Sequence, residues 1–354
     1  MSYRYLINDA VEHSLTDSIK SLITGTQRYI KISSFLMQDA SISKMLMGLA
    51  SSGNAAVFLI SNKKDQESEE YKESTIFPKS SKEKTVGFDN HGKFLKELYY
   101  SGVHVRLLDN LHAKFIISDG EKGLVMSANL APTSLKGNVE TGIEIGDADI
   151  KELEYVFDTM YNHADIVRFQ GAFRKDITVK VENKLDPKSI ESIGGNIRLT
   201  VSSSTKTNLD LCNVHSIYDS IVEIIEEAQQ YVFIVTWHFK LKKKGSLREL
   251  RDAIRNAQKR GVKVYLYSNI NKPGPSLISS RHAIKVLTEE LGCDSYGDDK
   301  NHSKCVLSES KGILFTANID DEHGMTDGFE VGCMMNENQR KKAENHIIKL
   351  INGK

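Results

Sequence analysis

Residues 112–119 read HAKFIISD and residues 124–129 read LVMSAN, and the same polar pattern returns as HSKCVLSE at residues 302–309 and ILFTAN at residues 313–318. A glutamate follows each copy, Glu140 after the first and Glu330 after the second. The spacing from His to Glu is 28 residues in both copies, and the spacing from His to Asn is 17 in the first and 16 in the second. A register kept this closely indicates an internal duplication of one polar cluster.

Each copy predicts a β-hairpin that gathers its polar side chains at one end. His112 and Lys114 share a face of the first strand, because successive side chains of a strand point to opposite faces. The apolar residues 115–117 are typical of a strand buried on both sides, and a tight turn then brings Ser127 and Asn129 back beside the histidine. The second copy predicts the same arrangement for His302, Lys304, Thr316 and Asn318.

Two such clusters facing each other would suit a phosphodiester. One imidazole would attack phosphorus and the other would protonate the leaving oxygen, while the ammonium and amide groups would hold the non-bridging oxygens. A glutamate that accepts a hydrogen bond from the second ring nitrogen of each histidine would fix its tautomer. This chemistry requires no metal ion and no other cofactor. The candidate catalytic residues are His112, Lys114, Asn129, Glu140, His302, Lys304, Asn318 and Glu330.

These residues resemble the HxK(x4)D…(S/T)xN motif of the phospholipase D superfamily, which occurs twice in each active site of that family. The resemblance covers most of the chain and implies a metal-independent mechanism through a covalent phosphohistidine. The motif residues with supporting roles are Ser127, Thr316, Asp119 and Glu309. Glu309 stands where the motif has Asp, and Met126 and Phe315 stand where glycine commonly precedes the hydroxyl residue. We choose His112 as nucleophile and His302 as acid, because the first copy is closer to the family pattern; the sequence leaves that order open.

The duplication extends upstream of the motifs and predicts the fold class. Residues 28–35 resemble residues 230–237, and residues 56–62 resemble residues 263–269; all four segments read as buried strands. Helix-like stretches lie between them, and strands that alternate with helices are typical of the α/β class. We expect two similar phospholipase D-like lobes related by a pseudo-twofold axis, each with a mainly parallel mixed sheet flanked by helices.

The predicted domain boundaries follow the composition of the chain. The first lobe covers residues 1–175 and the second covers residues 210–354, each with one motif. Residues 176–209 are predicted as the linker, because they mix charges with a Gly-Gly pair and a Ser-rich run, although 197–201 is a candidate additional strand. Residues 63–84 and the shorter stretch 270–280 are predicted as loops after equivalent strands.

Composition limits the classes of protein to be considered. Lys plus Arg and Asp plus Glu number 47 each, so net neutrality gives no general attraction to a polyanion. The four cysteines form no C-x-x-C pair and no zinc-binding spacing, which indicates reduced thiols. The sequence has no signal-like start and no run of 18 apolar residues, so we expect a cytoplasmic protein that does not span a membrane.

A basic segment gives the main indication of the substrate class. Residues 240–263 hold ten basic residues against two acidic ones, and four of the basic residues recur at helical spacing on one face, where they could follow a phosphate backbone. Two aromatic residues end equivalent strands, where a ring could stack on a base. The same features also fit a solvated helix face and aromatic rings that close the core. The candidate substrate-binding residues are Arg248, Arg251, Arg255, Lys259, Trp237 and Phe35.

We therefore predict a metal-independent phosphodiesterase that acts as a nuclease on DNA or RNA. Two alternatives stay open, because the motif does not select the diester. A phospholipase D or phosphatidyl transferase would apply the same chemistry to a lipid head group. An inactive phosphate-binding scaffold would keep the fold without turnover, with protein partners in a defence or repair complex.

Overall fold

The computed structural model describes residues 3–62, 86–169, 177–179, 181, 195–202, 214–240, 247–269, 284–285, 288–290, 292–320, 324–325 and 328–353. Within these residues, each half of the chain forms a lobe that is built on one large sheet. The two predicted loops, residues 63–84 and 270–280, lie outside the described residues.

The first lobe is built on one long sheet with helices on both sides. Its elements are, in chain order, β1 (Tyr5–Asn8), α1 (Ser14–Gly25), β2 (Tyr29–Ser34), α2 (Ala40–Ser51), β3 (Ala56–Asn62), α3 (Val86–Tyr100), β4 (His104–Leu108), β5 (Phe115–Ser118), β6 (Lys122–Met126), a π-helical turn (Thr133–Gly137), β7 (Glu140–Ile145), α4 (Asp147–His163), β8 (Asp165–Arg168) and β9 (Ile177–Val179). The nine strands described in this lobe pair in the order β1-β7-β6-β5-β2-β3-β4-β8-β9.

The second lobe repeats this plan. Its elements are β10 (Ile197–Val201), β11 (Val214–His215), α5 (Ser216–Glu227), β12 (Tyr231–Thr236), β13 (Phe239–Lys240), α6 (Arg248–Lys259), β14 (Lys263–Ser268), β15 (Asp294–Gly297), β16 (Cys305–Ser308), β17 (Gly312–Phe315), β18 (Ile319–Asp320), β19 (Phe329–Met334) and α7 (Glu337–Asn352). The described strands of its main sheet pair in the order β11-β10-β19-β17-β16-β12-β14-β15, and β13 pairs with β18 in a separate ribbon. The shared strand order confirms the predicted duplication and the two α/β lobes.

Parallel pairing within each main sheet is limited to three neighbouring strands. In the described sheets, β2, β3 and β4 run parallel, as do β12, β14 and β15. The other pairings of the two main sheets, including the motif hairpins β5-β6 and β16-β17, are antiparallel, whereas β13 and β18 pair parallel in their separate ribbon. The two main sheets are therefore mixed, as predicted, but not mainly parallel, because most of their neighbouring strands pair antiparallel.

The apolar residues form an outer core in each lobe and one core between the lobes. Helices α1 and α2 cover the outer face of the first sheet, where Leu15, Ile19 and Leu59 are buried. The inner faces of the two sheets share a core with α4 and α7, to which Phe157 and Val331 contribute. This burial of both sheet faces is what the continuous apolar strands require.

The stretch predicted as the linker contributes strands to both lobes. Residues 177–179 form β9 at one edge of the first sheet, and residues 197–201 form β10, which pairs with β19 inside the second sheet. Strand β10 occupies the place that β1 occupies in the first lobe. The second lobe therefore begins before residue 197, and the predicted start at residue 210 is too late. None of the described helices is both long and apolar enough to cross a membrane.

Candidate active site

The two motif histidines are joined to glutamates of the opposite lobe. Nδ1 of His112, which precedes β5, lies 2.6 Å from Oε1 of Glu330 on β19. Nδ1 of His302, which precedes β16, lies 2.8 Å from Oε1 of Glu140, the first residue of β7. Each glutamate follows the histidine of its own copy in sequence but contacts the histidine of the other copy. Each half of the site is therefore completed only where the lobes meet.

Backbone hydrogen bonds hold each crossed pair in place. The amide of His112 donates to the carbonyl of Phe329, and the amide of His302 donates to the carbonyl of Val139, each over 2.9 Å. Phe329 and Val139 are the residues that immediately precede the two glutamates. Each carboxylate therefore approaches its imidazole from a backbone that is hydrogen-bonded to the same histidine.

The motif hydroxyls support the glutamates. The Ser127 hydroxyl donates to Oε2 of Glu140, and the Thr316 hydroxyl donates to Oε2 of Glu330. Each hydroxyl also accepts, over 3.0 Å, the backbone N–H of the residue that follows its glutamate. All four side chains are buried. One carboxylate oxygen is thus occupied by the hydroxyl, which leaves the other facing the imidazole, so that Ser127 and Thr316 act as supporting residues.

The electrostatic surroundings keep the buried Glu140 ionised. Burial alone would raise the pKa of this carboxyl, but the charges of His302 and Lys304 and the hydrogen bonds from His302 and Ser127 outweigh burial. The pKa of Glu140 is therefore held below its ordinary value. An ionised carboxylate at this position can orient the ring of His302 and stabilise positive charge on it.

The two motif lysines are fully buried beside the histidines. Nζ of Lys114 donates to the carbonyl of His112 over 2.7 Å, and Nζ of Lys304 donates to the carbonyl of His302 over 3.0 Å. Nζ of Lys304 also lies 3.4 Å from Nδ1 of the same histidine. Each half-site therefore places an ammonium group beside its histidine, but the two residues lie just before the strand, whereas the sequence predicted them on it.

The motif asparagines lie in segments that a hydroxyl group ties to the end of a central strand. The hydroxyl of Ser34, at the end of β2, donates to the carbonyl of Leu36 over 2.7 Å. It also accepts the N–H of Leu130, the residue after Asn129, over 3.3 Å. The hydroxyl of Thr236, at the end of β12, makes the two equivalent bonds. It donates to the carbonyl of His238 over 2.9 Å and accepts the N–H of Ile319, the residue after Asn318, over 3.2 Å. Both asparagines are therefore brought to the sheet edge that carries the histidines.

The motif carboxylates Asp119 and Glu309 lie at the opposite end of the motif strands. Asp119 accepts the backbone N–H groups of residues 27–29 over 2.7–3.0 Å, and Glu309 accepts those of residues 229–231 over 2.8–3.4 Å. Burial alone would raise the pKa of each carboxyl, but these N–H groups outweigh it and lower the pKa. Glu309 thus occupies the structural position of the motif Asp, with longer bonds.

A family model described as cardiolipin synthase, PLD-like domain, matches residues 19–161 and 221–349, which is well over half of the chain and includes both motifs. The chain belongs to this phospholipase D-like family. No sequence among curated proteins matches it significantly.

Two solved structures match the fold of this phospholipase D-like chain over nearly its whole length, and a third structure matches about half of it. Phosphatidylserine synthase from Haemophilus influenzae Rd KW20 is 13% identical, with a TM-score of 0.61, and the match covers 97% of this chain and 86% of that one. Polyphosphate kinase from Porphyromonas gingivalis is 12% identical, with a TM-score of 0.57, and the match covers 99% of this chain but only 50% of that one, so the chain spans half its length. Nuc from Salmonella typhimurium, a phospholipase D family member, is 16% identical, with a TM-score of 0.38 and coverage of 48% and 99%.

The predicted aromatic residues lie against the motif histidines of this phospholipase D-like site. The ring of Phe35 is 5.3 Å from that of His112 in an edge-on arrangement, and the ring of Trp237 is 5.5 Å from that of His302, both measured between centroids. Phe35 and Trp237 are each only 6% exposed, which leaves little surface for stacking on a base. Their contacts instead restrict the orientation of the imidazoles.

The basic side chains predicted to bind substrate are partly paired with acidic groups. Arg251 lies 2.5 Å from Glu290, and Arg255 and Arg248 lie 2.8 Å and 3.6 Å from Asp252. These ion pairs reduce the positive potential that the row presents to a polyanion.

The direction of α6 decides how the basic row lies relative to the phospholipase D-like site. Because β12 and β14 are parallel, the connecting helix runs antiparallel to both. Arg248 therefore begins the row near the sheet edge that carries the site, and the exposed Lys259 ends it toward the opposite edge. The row leads away from the site, and only its first turn is near the catalytic groups.

Sequence reasoning missed the crossed pairing and the strand-end hydroxyls. The spacing from His to Glu is the same in both copies. It would be the same whether each glutamate contacts the histidine of its own copy or that of the other copy, so it does not indicate which contact forms. A signal for Ser34 and Thr236 did exist, since hydroxyl residues occupy equivalent positions in the two aligned strands. A buried pair in the second lobe, His238 and Asp320, had no such signal, because the first copy has no counterpart.

Proposed function

We propose that this phospholipase D-like chain is a phosphodiester hydrolase that acts without a metal ion, through a covalent phosphohistidine, and that its substrate is a nucleic acid. The observation that carries the proposal is the pair of crossed contacts, His112 with Glu330 and His302 with Glu140. Each imidazole has a carboxylate on Nδ1, and we assign the chemistry to the other ring nitrogen, Nε2. Two imidazoles prepared in the same way suit a reaction that needs one nucleophile and one proton donor.

The proposed reaction proceeds in two balanced steps. In the first, Nε2 of His112 forms a bond to phosphorus, the bond to the leaving oxygen breaks, and Nε2–H of His302 gives its proton to that oxygen. In the second, a water molecule attacks phosphorus, His302 takes the proton of the water, and the bond from phosphorus to His112 breaks. The phosphate monoester leaves and both histidines return to their initial protonation states.

The buried cations and amides would hold the phosphoryl group during both steps. Each ammonium is preorganised by a hydrogen bond to the carbonyl of its own motif histidine, so little reorganisation is required when negative charge grows on the non-bridging oxygens. This role falls to Lys114, Lys304, Asn129 and Asn318. A cationic clamp of this kind supplies the charge that a metal ion supplies in other phosphoryl-transfer sites.

The choice of a nucleic acid as substrate is supported by the basic row on α6. Arg248 is the most exposed of the paired arginines, with 79% of its side chain accessible, and it lies in the helical turn nearest the site. A polynucleotide that occupied the site could extend along α6 and contact Arg248 and Arg255. The two ion pairs to Asp252 would exchange for phosphate contacts.

The second candidate function is phosphatidyl transfer, and the description of the matching family model favours it. The phosphohistidine step would be the same. An alcohol would replace water in the second step, and the product would be a new diester. The site residues carry both reactions equally, so the substrate must be decided by experiment.

The deciding experiment is a substrate panel in EDTA. Purified protein is incubated with bis-p-nitrophenyl phosphate, plasmid DNA, single-stranded DNA and RNA oligonucleotides, and vesicles of phosphatidylcholine or phosphatidylglycerol. Cleavage of an oligonucleotide or plasmid supports the nuclease, and consumption of a phospholipid supports the transferase. Turnover that EDTA abolishes and Mg²⁺ restores would contradict the mechanism, and inactivity on every diester would support a phosphate-binding scaffold.

Trapping variants assign the two histidine roles in the same assay. His112→Asn should form no covalent phospho-enzyme, whereas His302→Asn should accumulate it with a substrate that has a good leaving group. The reverse pattern would exchange the roles of the two residues.

Salt dependence tests the nucleic-acid contact. If Arg248 and Arg255 each contact one phosphate, then Arg248→Glu with Arg255→Glu should flatten the slope of log KM against log salt by about two units. The matched control is Lys341→Glu with Lys342→Glu, an equal charge change at two exposed positions of α7. Equal slopes for both double variants would remove α6 from the substrate-binding surface.

A further inference from the structure

The second lobe carries a buried imidazole–carboxylate pair that the proposed reaction does not use. Nδ1 of His238 lies 3.1 Å from Oδ2 of Asp320, and both side chains are about 95% buried. His238 directly follows Trp237 at the end of β12, and Asp320 lies two residues after Asn318. The pair therefore joins two segments that each carry a residue of the second half-site.

The equivalent positions of the first lobe are apolar. The strand-end hydroxyls of the two lobes donate to the carbonyls of Leu36 and His238, which makes these two residues equivalent. The parallel bridge between Met37 and Leu130 in the first lobe corresponds to the pairing of Phe239 with Ile319 in the second. Ala131 and Asp320 each follow the second residue of that pair, so they are equivalent as well. Leu36 and Ala131 are both buried. The fold therefore accommodates a Leu-Ala combination at this place, and the ionisable pair is a feature of the second half-site alone.

The pair contacts the site through its neighbours. The ring of Trp237 is 5.8 Å from that of His238 and 5.5 Å from that of His302, so one aromatic ring lies against both imidazoles. On the other side, the backbone N–H of Asp320 donates to the carbonyl of Asn318 over 3.0 Å. A displacement of either member of the pair would therefore move a neighbour of the reacting groups.

We propose that His238 and Asp320 form a positioning pair that holds Trp237 against His302 and fixes the segment of Asn318. The side-chain contact adds to the hydroxyl bridge and the β13-β18 ribbon, which already join these two segments of the second half-site. This inference rests on the proposed function, because it assigns the pair a role in the same reaction. Neither residue contacts the phosphoryl group in this scheme, and both act through Trp237, His302 and Asn318.

The first lobe supplies the variant for the test. His238→Leu with Asp320→Ala installs the residues that the first lobe has at the same place, and it removes both charges together, which buried pairs tolerate far better than the loss of one partner. We expect cooperative thermal unfolding near the wild-type midpoint. We expect kcat/KM for bis-p-nitrophenyl phosphate to fall by about ten- to a hundredfold, because misplacement of a positioned group by about 1 Å has an effect of that size.

A second readout does not depend on turnover. Trp237 is the only tryptophan of the chain, so its fluorescence reports this half-site directly. Titration with inorganic phosphate should show weaker binding to the Leu-Ala variant by about the factor seen in kcat/KM. His238→Gln with Asp320→Asn keeps a neutral hydrogen bond between the two side chains and should restore most of the affinity. His346→Leu, which replaces an equally buried histidine on α7, should leave phosphate affinity unchanged.

The outcomes separate this inference from the proposed function. A wild-type protein that binds phosphate but cleaves no diester removes the hydrolase proposal, whereas the comparison of phosphate affinities still tests the pair. Wild-type affinity and kcat/KM in a stably folded Leu-Ala variant would overturn the positioning role. Failure of the Leu-Ala variant to fold would also overturn the positioning role, because it would assign the pair to stability. An equal loss of phosphate affinity in the Gln-Asn variant would overturn it as well. A wild-type protein that neither binds phosphate nor cleaves a diester would remove both proposals.

Discussion

Replacement of Glu330 by Gln should slow formation of the phospho-enzyme without loss of the fold. Gln has the shape of Glu and can keep the hydrogen bond from Thr316, so the change removes the charge beside His112 and turns an amide N–H, instead of an acceptor, toward Nδ1. When Nε2 of His112 bonds to phosphorus, the ring gains positive charge. The carboxylate oxygen 2.6 Å from Nδ1 stabilises that charge, and a neutral amide does not.

The size of the effect follows from the buried position of the pair. Glu330 is 2% exposed and the side chain of His112 is 15% exposed, so solvent screens the interaction only in part. Charge centres about 4 Å apart at an effective dielectric constant of about 20 interact by about 4 kcal/mol. At about 1.4 kcal/mol for each factor of ten, the first step should slow by about 10³-fold.

Pre-steady-state kinetics in EDTA isolates that step. The burst of p-nitrophenol released from bis-p-nitrophenyl phosphate reports phospho-enzyme formation, and samples quenched in alkali and analysed by mass spectrometry identify the modified histidine. The matched control is Glu140→Gln, which acts on His302 across the other crossed contact and should slow both proton transfers instead. Thr316→Val removes the hydroxyl that donates to Glu330 and accepts the N–H of Val331, keeps the charge of Glu330, and should cost at least about tenfold.

Two results would refute the reasoning. A burst rate for Glu330→Gln within about threefold of the wild type would show that the carboxylate does not stabilise the transition state. A variant of Glu330 that affected His302 chemistry, with normal modification of His112, would show that the cross-lobe contact is not the functional one.

Three further outcomes follow from the buried carboxyls and thiols. The pKa of Glu140 lies below the ordinary value of 4.5, so the stability that its charge contributes is complete above pH 4.5 and is lost as the pH falls through the lowered pKa. The urea concentration at the unfolding midpoint should therefore decrease below pH 4.5. The decrease should be less steep in Glu140→Gln. Asp119→Ala should cost about 2 kcal/mol in chemical denaturation, and Glu309→Ala less, because two of its three bonds measure 3.4 Å. Burial raises the pKa of the Cys305 thiol to about 12, so at pH 8 it should react with Ellman's reagent only after unfolding, as mass spectrometry of the labelled peptide would show.

The local composition of each half-site could be predicted from the sequence. Alternation on a strand places His112 and Lys114 on one face, and the hairpin returns Asn129 to the same end, because both follow from a period of two and a short turn. The structure forms the hairpin in both copies, with each His-Lys pair just before its first strand, and it adds the unpredicted support of Glu140 by Ser127. Interactions within about 30 residues were therefore accessible to pattern reasoning.

The relations between distant segments could not be predicted in the same way. The direction of a strand depends on the path of the chain that connects it to its neighbour. A strand buried on both faces has the same apolar pattern whether it runs parallel or antiparallel, so the apolar strands were read as mainly parallel. The strand at residues 197–201 was assigned to a linker because charged and Ser-rich residues surround a short apolar run. The ion pairs of Arg251 and Arg255 were hidden because one acidic partner is distant in sequence and the other was read as part of a solvated face.

The crossed contacts explain which residues of the duplicated chain match and which differ. His112 with Glu330 and Glu140 with His302 form an isologous interface, in which residue i of one half contacts residue j of the other and the reverse contact is made as well. A change at either position would alter the partner lobe, so the two copies carry identical residues there. Positions whose contacts stay within one lobe have no such restriction: Asp119 corresponds to Glu309, and the Leu-Ala combination of the first lobe corresponds to a buried His-Asp pair in the second. Duplication within one chain thus permits the two half-sites to differ in their supports while the histidines and glutamates that pair across the lobes stay the same, and a nucleophile and an acid can be derived from the same residue type.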